Sequence, residues 1–172
     1  MTAAAAEPGA APGLLRRLAC FFYEGVLLFG IVMAAGFAYG IATGQRNAIV
    51  GQHGLQAFLF VVLGAYFVWF WSHSGQTLAM QTWHIRLIGR DGRPVSPTRA
   101  LARYLCAYLW FVPALASVWA AGLAHDGSAV TIAIVIGVLA YAALAWLHPQ
   151  RQYWHDAVCG TRLVDWQPRT RR

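Results

Sequence analysis

The sequence predicts an all-α membrane protein: four transmembrane helices with a small cytoplasmic β-hairpin or sheet element. Two observations carry that expectation. Of 172 residues, 59% are hydrophobic and only 11% are charged, whereas a soluble domain carries roughly 25% charged residues. The apolar residues also gather into four long runs, each close to the ~17–25 residues with which an α-helix crosses ~30 Å of hydrocarbon. In lipid every backbone N–H and C=O must be satisfied within the segment, so runs of this length are read as helices.

In chain order, "MTAAAAEPGAAPG" lacks a basic stretch ahead of an apolar one, so residues 1–13 read as a disordered tail rather than a signal peptide. The first run, Leu18 to Ala42, is interrupted by Glu24 and ends in "GFAYG", with Gly44 four residues on. That doubled G-x-x-x-G spacing suits close helix packing, within the chain or in a homodimer. The second run is Leu55 to Trp71. After it, "QTWHIRLIGRDGRPVSP" alternates Trp83, Ile85 and Leu87 with His84, Arg86 and Ile88, and Asp91-Gly92 is a hairpin turn signal. Pro94 and Pro97 allow only a short return edge. The third run, Ala100 to Ala124, contains Pro113, which predicts a kink near Leu109. The fourth run is Ala129 to Leu147. "GTRLVDW" at Gly160 to Trp166 reads as a third strand, and residues 167–172 as a basic tail. One domain, 14–166, is expected between the two tails.

The basic residues fix an orientation. All thirteen are arginines, and all but Arg46 flank the same side of the four runs. The positive-inside rule then places both termini and the middle loop in the cytoplasm, with the chain in the membrane that bounds it. These flanks account for the net charge of +7 without nucleic acid, since no basic helix or aromatic-basic patch accompanies them. Trp69, Trp71, Trp110, Trp146, Tyr153 and Trp154 cluster near span ends, as interface anchors do. Cys20, Cys106 and Cys159 stand far apart and read as reduced thiols. His53, His73, His84, His125 and His148 fall in no ligand spacing, so neither a metal nor another cofactor is expected. No nucleophile motif, phosphate loop or dinucleotide fingerprint points to an enzyme.

Four stretches together carry a resemblance: "RRLACFFYEG" near the start, "GQTLAMQTWHIRLIGRDGRPVS" after the second run, "ARYL" entering the third, and "WHDAVCGTRLVDW" at the end. They resemble the RDD family of bacterial membrane proteins, over nearly the whole chain from Gly13 to Trp166. That family is named for one arginine and two aspartates. The arginine maps to Arg17, or to Arg16 by one step, and the second aspartate to Asp156. The first aspartate position holds Glu24, whose carboxylate sits one methylene further out. The resemblance implies membrane transport of an unidentified ligand, with some members similar to cation/proton antiporters.

Glu24 is the sole acidic residue inside any of the four runs. A charge at mid-span costs ~2.5–3.5 kcal/mol on insertion scales, so a partner, a proton or a wet cleft must offset it. Arg17 lies seven residues earlier on the same helix face, about 10 Å along the axis. Two expectations compete. In one, Glu24 pairs with Arg103 and Asp156 with Arg17, as structural staples of a non-transporting scaffold, assembly or lipid-binding protein. In the other, Glu24 exchanges a proton or a small cation within a charged surround of Arg17, Arg103 and Asp156. Gln76 and Thr77 follow Gly75 at the end of the second run and read as caps or cleft-lining residues. His155 precedes Asp156, yet adjacent side chains diverge by ~100° on a helix, so a direct dyad is not expected.

Overall fold

The computed structural model describes residues 10–44, 51–147 and 152–166. Long apolar segments give long helices: α1 spans Leu14–Thr43 and α2 spans Gln52–His73. A short α3, Leu78–Thr82, leads into strand β1, Ile85–Gly89. The third span is split into α4, Pro97–Ala107, a 3-10 turn at Tyr108–Trp110, and α5, Val112–Ala120. Helix α6 covers Gly127–Leu144 and runs into a second 3-10 turn at Ala145–Leu147. Helix α7, Trp154–Val158, and strand β2, Thr161–Asp165, close the chain.

Helices α1, α2, the α4–α5 unit and α6 are each long and apolar enough to cross a membrane. Their outward faces have the composition that lipid requires. Phe22, Val26, Phe29, Met33, Phe37 and Ile41 recur every three or four residues on α1, and all are exposed. In water that stripe would be an exceptional apolar patch; against acyl chains it needs no cover.

Local chemistry sets the element boundaries. The Ser96 and Thr77 side chains accept from the N–H groups of Arg99 and Met80, capping α4 and α3. Asp126 caps α6 by accepting from Ser128 and Ala129. Proline has no N–H, so Pro113 cannot continue the ladder from α4. The span breaks at Tyr108–Trp110 and restarts with Pro113 in the first turn of α5, where no donor is needed. Gly137 lets α6 lie close on α5, since a Cβ there would come 2.7 Å from that of Ala114. Gly36 and Gly44 serve no such approach among the described residues, because a Cβ at either would meet nothing within 4 Å.

The sheet differs from the expected hairpin. Asp91-Gly92 does turn the chain, with Gly92 donating to Gly89 and Gly89 to Arg93, but no strand returns. Pro94 and Pro97 strip donors from that limb. The partner of β1 is β2, antiparallel, with Leu87 opposite Leu163. Ile85, Leu87 and Leu163 point inward and join Trp71, Met80 and Tyr153 in the core. The largest fully buried side chains, Ile85, Leu87, Val95, Thr77 and Asp156, thus belong to the sheet and the segments around it. The amino-terminal tail, expected to be free through Gly13, is held at Ala10, whose carbonyl accepts from Asp165. Its first nine residues, Arg46, His148, Arg151 and the basic tail at 167–172 lie outside the described residues. All three cysteines are free thiols.

The loop between α2 and α3 depends on Gly75, whose φ is +71° and whose added Cβ would lie 2.7 Å from the Leu87 carbonyl oxygen. Gly92 also has a positive φ, +77°, but faces open space. Gly92→Ala should therefore cost about 1–2 kcal/mol, the left-handed penalty alone, and Gly75→Ala clearly more. Unfolding midpoints in detergent, measured on the two variants side by side, check this; equal losses would refute the clash.

Candidate functional site

Three of the expected charged residues lie buried around one cavity, but their partners are not those expected. Glu24, on α1, is 7% exposed. Its Oε1 accepts from the Tyr66 hydroxyl of α2 at 2.8 Å, and its Oε2 from the Thr77 hydroxyl. No arginine forms an ion pair with it among the described residues, so the expected Glu24–Arg103 pair is not formed. Thr77 serves twice, since its oxygen also accepts from the Met80 N–H as the cap of α3. Gln76 turns elsewhere and donates to the Ile85 carbonyl at 2.7 Å, holding β1 to the end of α2.

Arg103 pairs with Asp156 instead, Nε to Oδ1 at 2.6 Å. Asp156 is wholly buried, and Thr161 donates to the same Oδ1 at 3.2 Å. The Arg103 guanidinium also lies over the Trp71 ring, 4.2 Å from its centre. Burial alone would raise the Asp156 carboxyl. The Arg103 charge, His155 and the hydrogen bonds outweigh it and hold the group below the ordinary aspartate value of 3.8.

His155 and Asp156 do approach, with Nε2 to Oδ1 at 3.6 Å, too long for a hydrogen bond. The Trp110 indole N–H donates to His155 Nδ1 at 3.2 Å. Indole nitrogen can only donate, so Nδ1 is the acceptor and the ring proton sits on Nε2, toward Asp156. The imidazole stacks against Tyr141 and Tyr153. Burial pushes it down to about 4, so it is neutral at physiological pH.

Arg17 is the outlier. It is 4% exposed, yet its Nε and Nη1 have no hydrogen-bond partner. Its guanidinium rests over Tyr153 at 4.6 Å. Asp156, the partner expected for it, turns Oδ1 to Arg103 instead, and its buried Oδ2 bonds to neither arginine. A buried polar group left unpaired costs ~1–3 kcal/mol, and more when it is charged. The neighbouring Arg16 points the other way, forking onto Asp165 at 2.8 and 2.9 Å. That interaction holds the Asp165 carboxyl below its usual value.

Arg17, Glu24, Arg103 and His155 all line one cavity of about 400 Å³, together with Phe21, Phe67 and Trp110. Ligand cavities run from ~300 to 1,000 Å³, mostly apolar with a few placed polar groups, and this one has that character. Sequence reasoning placed Arg17, Glu24 and Arg103 near one another but missed Tyr66, Tyr153, Trp71 and Trp110. Trp71, Trp110 and Tyr153 were expected as interface anchors, but they are buried around the cavity and its charges, whereas Trp69 and Trp154 are exposed. The Trp146 side chain lies outside the described residues. Tyr66 carried a usable signal: a hydroxyl in mid-span must find a partner in lipid.

Breaking the buried pair should be costly. Asp156→Ala leaves a buried guanidinium unpaired and should lose about 3–5 kcal/mol, while Asp156→Ala with Arg103→Met should lose less than the sum of the two single changes. Unfolding by denaturing detergent reads all four proteins. His155 sets an acid limb. Its folded value of about 4 lies below the ordinary 6.5, so the unfolded chain binds the proton first. Stability is full above about pH 6.5 and falls as pH drops toward 4, by roughly 3 kcal/mol at the limit. His155→Gln should flatten that limb; an unchanged profile would remove His155 as its cause.

The family model described as RDD family matches residues 11–160, a stretch that holds Arg17, Glu24, Arg103 and Asp156. No curated protein and no solved structure matches the chain.

Proposed function

The chain belongs to the RDD family, and we propose that it transports a small ligand through the cavity beside α1, with a proton on Glu24 as the coupling group. One observation carries this: the partners of Glu24 are hydroxyls. An arginine partner would hold a carboxylate permanently as the anion. A hydroxyl donates to a carboxylate and accepts from a carboxylic acid, so Tyr66 and Thr77 can satisfy Glu24 in either protonation state. A buried acid that keeps its hydrogen bonds through loss and gain of a proton is suited to a relay.

The exchange of a small cation at Glu24 fits less well. Hard cations such as Ca²⁺ take ~6–8 oxygen ligands, while Glu24 is met by two hydroxyls, and Arg17 lines the same cavity with a free positive charge. The reading therefore keeps the proton and leaves the co-substrate to be identified. The site is assigned no catalytic role. The arginine bias supports an inner-membrane location with the sheet end in the cytoplasm. A scaffold reading is favoured by the Arg103–Asp156 and Arg16–Asp165 pairs, which tie the carboxyl-terminal segment to the spans; a homodimer is compatible with either.

Proteoliposomes with an internal pH dye discriminate. Pulses of Na⁺, K⁺ or Li⁺ are given with chloride or with octanesulfonate, an anion with no titratable proton of its own. Proton movement in the wild type that drops at least tenfold in a folded Glu24→Gln variant is the expected result. Flux with chloride salts would identify cation exchange, and flux with octanesulfonate alone would identify anion symport. No flux in either protein would leave the scaffold.

A further inference from the structure

We infer that the cavity binds a single-chain amphipathic anion, with its oxyanion head on Arg17 and its hydrocarbon chain along the apolar wall. The inference deepens the transport reading by giving the ligand a chemical class. Binding itself does not depend on that reading; only movement of the bound anion across the membrane does.

Three features converge on it. The first is the charge. Arg17 is almost fully buried, lines the cavity, and leaves Nε and Nη1 without hydrogen-bond partners. The other charged groups among the described lining residues are occupied: Arg103 by Asp156, and Glu24 by Tyr66 and Thr77. An oxyanion is therefore the complement that the site lacks, and guanidinium is the side chain best matched to carboxylate, phosphate or sulfonate. Glu24 does not compete for Arg17. It lies about two turns along α1, with both oxygens turned to hydroxyls.

The second feature is the wall. Apart from the charged groups and His155, aromatic and aliphatic side chains dominate the lining, among them Phe21, Leu28, Leu63 and Phe67. A free phosphate or other small hydrophilic anion would leave that surface without contact. A hydrocarbon chain would cover it.

The third feature is access. Phe22 on α1 and Tyr108 just beyond α4 both line the cavity and are both exposed, Phe22 by 67%. Helices α1 and α4 each pack on α2, and these two exposed lining residues put an edge of the cavity on the apolar outer surface. A ligand dissolved in the bilayer reaches Arg17 along that route with its chain still in an apolar medium.

The test is equilibrium binding to the full chain in phosphatidylcholine nanodiscs. The probes are 9,10-dibromostearate and its uncharged methyl ester, read by bromine quenching of tryptophan, since Trp71 and Trp110 line the cavity. The acid should quench saturably in the wild type, and the ester should bind at least about tenfold more weakly, as expected for loss of a charge-assisted hydrogen bond. Arg17→Gln should weaken the acid by a similar factor and leave the ester unchanged, with Arg17→Lys in between. Decyl phosphate should displace the acid; inorganic phosphate should not. Equal binding of acid and ester, or displacement by inorganic phosphate as readily as by decyl phosphate, would overturn the proposal. The acid–ester comparison is made on the wild type, so it stands even where an Arg17 variant fails to fold. Headgroup-dependent binding without flux would remove transport and keep this site; flux without headgroup dependence would do the reverse.

Discussion

The architecture at the sheet end hangs on the Arg103–Asp156 pair. Neither group has water to return to, so the pair adds little net stability over an apolar substitute but is expensive to break. Its effect is positional. Asp156 belongs to α7, and the Thr161 hydroxyl that donates to the same oxygen belongs to the first residue of β2. Fixing Asp156 on α4 therefore fixes where β2 begins. Strand β2 in turn sets the register of β1, whose inward Ile85 and Leu87 close the core beneath the spans. Arg16 returns the connection to α1 through its fork on Asp165. That last link is partly exposed to solvent and contributes modestly; the buried pair carries the constraint.

With Asp156 held by Arg103, Arg17 makes no ion pair among the described residues and feels the Asp156 charge only at a distance. Neighbours on a helix diverge by ~100°, so Arg16 and Arg17 cannot both reach the sheet. Arg16 takes the route to Asp165, and Arg17 faces the cavity over Tyr153. The aromatic face offsets part of the desolvation of a buried guanidinium, which is how an unpaired cation persists there. The same economy appears at Arg103, where Trp71 supplies the face and Asp156 the counter-charge. The two arginines thus have similar aromatic support and differ in whether an anion from the chain completes the shell.

The spans were legible because a bilayer imposes one length scale and one solvent, and both are written into runs such as Leu55 to Trp71. The break at Pro113 was legible because the missing N–H acts locally. The sheet was only half legible. Asp91-Gly92 signals a turn through local backbone preference, and the turn forms, but whether a strand comes after it depends on what lies opposite. The limb with Pro94 and Pro97 cannot donate, and β2 arrives from the far end of the chain to take its place. The charge pairings were not legible for a related reason. Helical periodicity places Arg17 and Glu24 on one face, yet it does not say which neighbour each will meet. The sequence offers Glu24 an arginine, a proton, a cation or a wet cleft, and nothing in its periodicity singles out the hydroxyls of Tyr66 and Thr77 that meet it. In a low-dielectric surround a hydroxyl is partner enough for a carboxyl group, and for one that must change protonation state it is the better partner.

Under the transport reading, the separation between Arg17 and Glu24 is what makes the two groups useful together. Seven residues of helix put them about 10 Å apart along the axis, beyond ion-pair reach. Had they been one turn apart they would neutralise each other, and an incoming anion would first have to displace the carboxylate. As arranged, the anion site and the proton site share one cavity with separate partners. An anion moving alone carries its charge through the membrane potential at ~2.3 kcal/mol per 100 mV. An anion moving with a proton carries none. A cavity with an unpaired cation for the head and an acid on hydroxyl partners for the proton can therefore load a neutral pair, so that the pH gradient and the anion's own gradient, not the voltage, set the direction of movement.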